Sequence, residues 1–115
     1  MPQFDDAAIA RLRRFGGNAL LFEMIDLFLG GATERVALAR NGVADGDCER
    51  VRAVFHSMKS STGQLGAVSF SVLCQRAEEL AGAGDLAGIG SMLPELDAEF
   101  AAMCGWLSTI RAGEG

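Results

Sequence analysis

The sequence is poor in the features that mark membrane, secreted and β-rich proteins. It has no tyrosine, two prolines and one histidine among 115 residues. No apolar run approaches the roughly 20 residues that a helix needs to span a bilayer. The N-terminus lacks the apolar core that follows a basic start in a signal peptide. We therefore expect one soluble, cytoplasmic domain over residues 1–115, with no membrane partner.

Cysteines and basic residues are also few. Cys48, Cys74 and Cys104 are an odd number and lie far apart, which argues against a disulfide framework and fits reduced thiols. With one histidine, they show no zinc-ligand spacing, so we expect no metal site. The formal net charge is −5 and no run of basic residues occurs, so nucleic acid is not an expected partner.

Hydrophobic residues make up half of the chain and recur at the three- and four-residue spacing of helices. Five helices are expected: a short one through about Phe15, then helices at about 18–41, 47–65 and 67–80, and a last one that reaches Ile110. Gly16-Gly17 ends the first helix. Pro94 is placed in the first turn of the last, where its missing N–H is harmless. The predicted fold class is all-α, an antiparallel up-and-down four-helix bundle with a short additional N-terminal helix.

The third predicted helix carries the only histidine opposite its apolar side. At about 100° per residue, the core stripe consists of Val51, Val54, Met58, Thr62 and Leu65. His56 faces the other way, and we expect it in solvent near the middle of the helix. Its neighbours within about 40° on the helical wheel are small residues and a cation: Arg52, Ser60, Gly63 and Ala67, with Lys59 slightly further round.

The residues around His56 suggest a chemistry. An exposed neutral imidazole is a nucleophile at physiological pH and a poor metal site without other ligands. Lys59 would pair with an anion placed on the ring nitrogen, and Ser60 and Ser61 offer hydroxyl donors. Gly63 costs about 1 kcal/mol relative to alanine in an exposed helix; it either admits a partner close to the backbone or begins the helix end. Together these groups predict a phosphoryl acceptor.

The same stretch, HSMKSSTGQLGA at residues 56–67, closely resembles the signature of histidine-containing phosphotransfer (HPt) domains. That signature is a histidine, a lysine three residues on, small residues at the next two places, and a glycine ten residues after the histidine. The resemblance extends over nearly the whole chain, including the segments IDLFL, NGVADGD and LCQRAEEL. The family usually has glycine where this sequence has Ser60, and a serine is still small.

The resemblance implies a relay in a two-component system. His56 would accept a phosphoryl group from a phospho-aspartate on one receiver domain and pass it to an aspartate on another. Lys59 would neutralise the phosphoryl oxygens, and Ser60 or Ser61 would hydrogen-bond them. A receiver domain would dock over a face with Arg52, Gly63, Gln64 and Ala67: the two glycines of this stretch, Gly63 and Gly66, would belong to the docking face and the helix end.

The implied partners are response-regulator receiver domains and hybrid histidine kinases, and the protein is expected to be a monomer. No cofactor is expected, because the magnesium ion of such pairs belongs to the receiver's acidic pocket. Arg52 and Lys59 would form a basic spot on an acidic protein and face that pocket.

Other classes of function fit less well. A hydrolase would need a cysteine beside His56, but Cys48 falls about 80° round the wheel and Cys74 lies on the apolar seam of another helix. Neither a P-loop nor any glycine-rich strand-to-helix turn is present, so ATP-dependent kinase activity is not expected. The remaining alternative is a non-phosphorylated helical module that docks on receivers or kinases; it would have no need of a nucleophile beside a lysine.

Overall fold

The computed structural model describes residues 3–113, which form four helices. They are α1 (Asp6–Asp45), α2 (Cys48–Gln64), α3 (Val68–Gly82) and α4 (Leu86–Gly113). The connections between them are two or three residues long, so consecutive helices run antiparallel. Helix α2 packs against α1 and α3, and α4 closes the bundle against α3 and α1. The predicted all-α bundle is confirmed.

The predicted short N-terminal helix is the part of α1 that precedes Gly16, and we call it the first arm, or N-terminal arm, of α1. Asp5 caps it by accepting a hydrogen bond from the Ala7 N–H at 3.0 Å. The helix breaks at Gly16 and Gly17, where Gly17 has a φ of 66°. The predicted break at the glycine pair is confirmed, and the third predicted helix is α2. The first arm packs across the turn between α2 and α3, where the Asp5 N–H donates to the Gly66 carbonyl at 2.8 Å.

The second arm of α1 runs further than predicted. It passes the expected end near Asn41 and stops at Gly46, whose φ of 73° ends the helix in a left-handed cap. Gly42, expected in a polar turn, is instead buried inside the helix. A Cβ on Gly42 would lie 2.7 Å from Cγ2 of Val51, so this glycine is needed for the close packing of α1 on α2.

The predicted position of Pro94 is wrong. Helix α4 begins at Leu86, and Pro94 lies inside it. Asp85 starts the helix by accepting a hydrogen bond from the Gly88 N–H at 2.8 Å. The segment before the proline is held because Ile89 and Met92 are buried in the core, and this burial offsets the backbone hydrogen bond that the proline removes.

The core contains residues from all four helices. Its largest fully buried side chains include Leu21, Ile25, Val51, Met58, Phe70, Met103 and Leu107. In α2 the predicted stripe is confirmed at its buried positions Val51, Met58, Thr62 and Leu65, and Val54 is half-buried. Phe55, not included in that stripe, is also buried. Within residues 3–113, none of the helices combines the length and apolar character that crossing a bilayer requires.

Candidate functional site

His56 lies on the outer face of α2, near the middle of the helix. Its side chain is 64% exposed, which confirms the predicted orientation toward solvent. Because the buried residues of α2 occupy the opposite side, the ring is held at the surface by the packing of the helix itself. One edge of the imidazole is therefore open to a reacting molecule.

The other edge of the ring contacts Glu78 on α3. Oε2 of Glu78 lies 2.7 Å from Nδ1 of His56, and Nζ of Lys59 lies 2.8 Å from Oε1 of the same carboxylate. Glu78 is only 15% exposed and Lys59 is 31% exposed, so this cluster is much drier than His56 itself. The three side chains join α2 to α3 directly beside the candidate nucleophile.

The cluster keeps Glu78 ionised. The pKa of Glu78 is lowered, first by the hydrogen bond from Lys59 and then by His56, and these effects outweigh the desolvation that would raise it. The carboxylate therefore carries its charge at neutral pH.

Sequence reasoning missed Glu78. One signal could have found it: Glu78 follows the buried Cys74 by four residues, so it borders the apolar seam of α3, whereas Glu79 is exposed. That signal could not have said which neighbouring helix the carboxylate meets. The pairing with His56, 22 residues away, depends on how α3 packs against α2.

Arg52 and Gly63, two of the four predicted docking residues, lie on the face of His56. Arg52, Gly63 and Gln64 are exposed, and Arg52 lines a shallow depression together with His56 and Glu78. A Cβ on Gly63 would lie 3.6 Å from the Ser71 hydroxyl, in ordinary contact, so the fold itself does not require glycine there. The exposed glycine leaves the backbone of α2 accessible.

The two serines that were predicted to hold the phosphoryl group lie on different sides of α2. Ser60 is exposed on the face of His56, while Ser61 is half-buried and donates a hydrogen bond to the Ser57 carbonyl at 3.3 Å. Ser61 lines a groove between α1 and α2 together with Leu27. Ser61 is five residues beyond His56, which turns it well away from the ring. Of the two, Ser60 is the hydroxyl on the reactive face.

The placement of Ala67 on the docking face is wrong, because Ala67 is fully buried. The wheel that placed it beside His56 assumed that the helix continues. Gly66, with a φ of 83°, ends α2 and turns the chain, so that Ala67 enters the core as the residue before α3. The predicted helix stop at Gly66 is thereby confirmed, and the docking face ends with α2.

The structure does not support a hydrolase that uses a cysteine together with His56. Cys74 lies close enough to Glu78 for the carboxylate charge to act on its thiol, and its side chain is fully buried. Burial, with the charge of Glu78 added, raises the pKa of its thiol to about 12. The protonated, enclosed thiol cannot serve as the nucleophile of a hydrolase at neutral pH.

A helical bundle that exposes a histidine beside a lysine on a central helix is the architecture of a phosphotransfer module. The family model for the Hpt domain matches residues 23–106, and the chain belongs to this family. It is a histidine phosphotransfer protein of phosphorelay signalling. Members of the family are phosphotransfer intermediates, not kinases, and interact with receiver domains and histidine kinases.

The structure is similar to that of histidine-containing phosphotransfer protein B (HptB) from Pseudomonas aeruginosa PAO1. The TM-score is 0.89 at 25% sequence identity, over 96% of each chain. The likeness therefore includes the short N-terminal arm of α1, which lies outside the part matched by the family model. None of the curated proteins matches the chain.

Proposed function

We propose that His56 accepts a phosphoryl group from a receiver phospho-aspartate and passes it to the aspartate of another receiver, with no ATP-dependent kinase activity of its own. The observation that carries this proposal is the exposure of the only histidine on the central helix of an Hpt-family bundle. A buried ring could not meet a phosphoryl group held in the pocket of another protein.

The transfer is a direct exchange between nitrogen and oxygen. A ring nitrogen attacks phosphorus, the N–P bond forms, and the O–P bond to the aspartate breaks with the electron pair leaving on the carboxylate. The second transfer reverses these changes on the next receiver. We place any magnesium ion on the receiver, and no metal or cofactor of this chain takes part in the proposal.

Charge and shape support docking of an acidic receiver pocket. Arg52 makes no ion pair within the described part of the chain, so its charge is available at the depression beside His56. In the groove between α1 and α2 that Gln64 also lines, Leu27 is 70% exposed. A cation beside the nucleophile and an exposed apolar residue in the groove that Gln64 lines suit a transient protein interface. We propose binding as a monomer, in the cytoplasm.

The proposal is tested by locating the phosphoryl label. The protein is incubated with a panel of phosphorylated receivers, or with hybrid kinases and ATP. We expect one phosphoryl group per chain, labile in acid and stable in base as a phosphoramidate should be, and none with ATP alone. A label on serine or cysteine contradicts the proposal. A module that only docks would bind receivers and stay unlabelled.

Replacement of Gly63 tests the docking face. Gly63→Gln should weaken receiver binding by about tenfold, or about 1.4 kcal/mol, because the new side chain occupies the space above the helix backbone. The bundle should stay folded, since a Cβ fits there and glycine is the poorer helix former by about 1 kcal/mol. Binding is measured by titration with a receiver. Gly105→Gln, at an exposed position on α4 with no neighbouring atoms within 4 Å, is the matched control. Equal binding by both variants would show that Gly63 gives no clearance.

Replacement of Lys59 tests its role beside the nucleophile. Lys59→Ala should leave His56 able to accept phosphate, but about 10- to 100-fold more slowly, the range expected for losing a charge-assisted hydrogen bond. The rate is measured in single-turnover transfer from a phosphorylated receiver. Arg76→Ala removes an exposed cation of α3 and should transfer at the normal rate. A Lys59→Ala protein as fast as Arg76→Ala would remove Lys59 from the reaction.

A further inference from the structure

The first arm of α1 leaves one phenylalanine in solvent. Phe15 is 82% exposed, whereas the other six phenylalanines of the chain are buried or half-buried. Phe4, just before the arm, stacks on Trp106 with ring centroids 4.4 Å apart. Aromatic side chains are large contributors to a core, and the ring of Phe15 contributes almost nothing. A single exposed apolar residue is common, so the residues around Phe15 decide whether it is part of a binding surface.

The residues around Phe15 are cationic. Residues 7–22 contain three arginines and no aspartate or glutamate, in a chain whose formal net charge is −5. Arg11 and Arg14 are exposed, and neither has an ion pair or a hydrogen-bond partner within residues 3–113. A basic segment with two available guanidinium groups therefore interrupts an acidic protein at this arm.

Arg11, Arg14 and Phe15 form one surface, which we call the arm surface. They follow one another at helical steps of three and four residues from Arg11, so their side chains are neighbours on the helix. Together they line a shallow depression. Elsewhere on the arm, Ile9 and Leu12 pack into the core of the bundle. The arm surface therefore rests on a helix that the core holds in place.

Two hydrogen bonds fix the arm at its ends. The Asp5 N–H donates to the Gly66 carbonyl at 2.8 Å, at the start of the arm. Past its other end, Nε of Arg13 donates to Oδ1 of Asn18 at 3.0 Å and so joins the two arms of α1 across the glycine break. A surface that is already held in one geometry loses less entropy on binding than a mobile one.

The arm surface is separate from the site at His56. The depression at His56 is lined by residues of α2 and α3, and the groove beside it by residues of α2 and of the second arm of α1. Neither includes a residue of the first arm. The arm also lies outside residues 23–106, the part of the chain that the family model matches. The phosphotransfer signature therefore does not account for this surface.

We propose that the arm surface is a second docking site, which binds a short acidic segment of a partner protein that also carries an apolar side chain. This goes beyond the proposed function, because the partner is held whether or not a phosphoryl group is transferred. The planar guanidinium groups of Arg11 and Arg14 are suited to pairing with carboxylates, and Phe15 would contact the apolar side chain. Arginine and aromatic residues are the types enriched at the centres of interfaces.

The distribution of charge favours a short segment over an extended anion. An arm from Asp6 to Phe15 is about 15 Å long, which matches about five extended residues of a partner. Of the ten basic and fifteen acidic residues, seven basic and all fifteen acidic ones lie outside residues 7–22. A nucleic acid or an anionic membrane would extend past the arm and be repelled there. A segment with a few carboxylates would not reach that far.

The first test measures binding with defined peptides. A library of random 12-residue peptides displayed on phage is selected on the full-length protein, and the recovered peptides are titrated by fluorescence anisotropy. We expect peptides with Asp or Glu beside Leu, Ile or Phe, and an affinity at least about tenfold lower for Arg11→Gln/Arg14→Gln and for Phe15→Ser. Arg76→Gln and Val72→Ser, which replace an exposed cation and an exposed apolar residue of α3, are matched controls and should bind like wild type.

Two results of these titrations would overturn the proposal. One is that every recovered peptide binds the arm variants as tightly as the α3 controls. The other is that peptides keep their affinity when Asp and Glu are replaced by Asn and Gln, which would remove the role of charge. All four variants change exposed side chains, and circular dichroism checks their folding. If the double arginine variant does not fold, Phe15→Ser decides alone.

The second test identifies the occupant in cells of the source organism. The photoreactive residue p-benzoylphenylalanine replaces Phe15, or Val72 as the control, and the cross-linked peptides are identified by mass spectrometry. The proposal is supported by a protein adduct at position 15 whose cross-linked segment is acidic and, as a purified peptide, binds with the same dependence on Arg11 and Arg14. A lipid, a nucleic acid or a second copy of this chain as the adduct would overturn it, as would the same adducts at both positions or none at position 15.

A transfer assay separates the arm surface from the relay. A saturating acidic peptide should leave phosphoryl transfer from a receiver to His56 at its normal rate, because the two surfaces share no lining residue. If the peptide competes with the receiver, the arm belongs to the receiver-docking face and the second site is lost. If no receiver labels His56, the relay is wrong, while the peptide titrations still decide whether the arm surface binds acidic segments.

Discussion

His56→Gln should abolish phosphoryl labelling by every receiver while leaving the bundle folded. The glutamine amide is neutral and is not a nucleophile, so it cannot take the place of the imidazole. Ser60 is exposed nearby, but a hydroxyl without a base beside it is a weak nucleophile at neutral pH. We therefore expect complete loss rather than a slower reaction.

The fold should tolerate this change because the side chain is 64% exposed and contributes nothing to the core. The cost should be within about 1 kcal/mol, largely from the lost contact with Glu78. Labelling is measured with the panel of phosphorylated receivers, and folding by circular dichroism and urea denaturation. A labelled His56→Gln protein, with a normal denaturation curve, would show that another residue is the acceptor.

Gly66→Ala should cause the largest loss of stability among the single changes considered, about 2–4 kcal/mol. Two costs add at this position. Gly66 has a φ of 83°, which residues with a Cβ rarely adopt. The new Cβ would also lie 2.6 Å from the Asp5 carbonyl oxygen and 3.0 Å from Cβ of Ala8. Backbone atoms cannot move away as a flexible side chain can.

Gly84→Ala is the matched control for this prediction. Gly84 has a φ of 77°, but a Cβ at this position would have no neighbouring atom within 4 Å, so it tests backbone strain without the clash. We expect a loss of about 1–2 kcal/mol there, measured like that of Gly66→Ala by urea denaturation. The difference between the two variants is the contribution of the contact with the N-terminal arm. Equal losses would show that this arm moves aside without cost.

The glycines illustrate how far local sequence reasoning reaches. Breaks at Gly16-Gly17 and Gly66 follow from backbone freedom alone, and both occur. Gly42 looks the same in the sequence, yet it lies inside a helix because Val51 packs against it. The local pattern cannot distinguish a glycine that ends a helix from one that admits a neighbouring helix, since the second depends on a contact between elements.

The proline and the docking residues show the same limit. The preference of proline for the first turn predicts a helix start at Pro94, but the burial of Ile89 and Met92 extends α4 back to Leu86. The helical wheel places Ala67 beside His56 only by continuing one residue past the point where Gly66 turns the chain. In both cases an interaction beyond the local segment decided the outcome.

By itself, the sequence determined the helical class, the opposite orientation of His56 and the core stripe, and the family resemblance of residues 56–67. These properties repeat every three or four residues along one helix, so neighbouring positions suffice to predict them. Only the tertiary structure decided that Glu78 meets both His56 and Lys59. That contact joins two helices across 22 residues of chain, and its existence depends on the packing of α3 against α2, which brings the carboxylate to the ring.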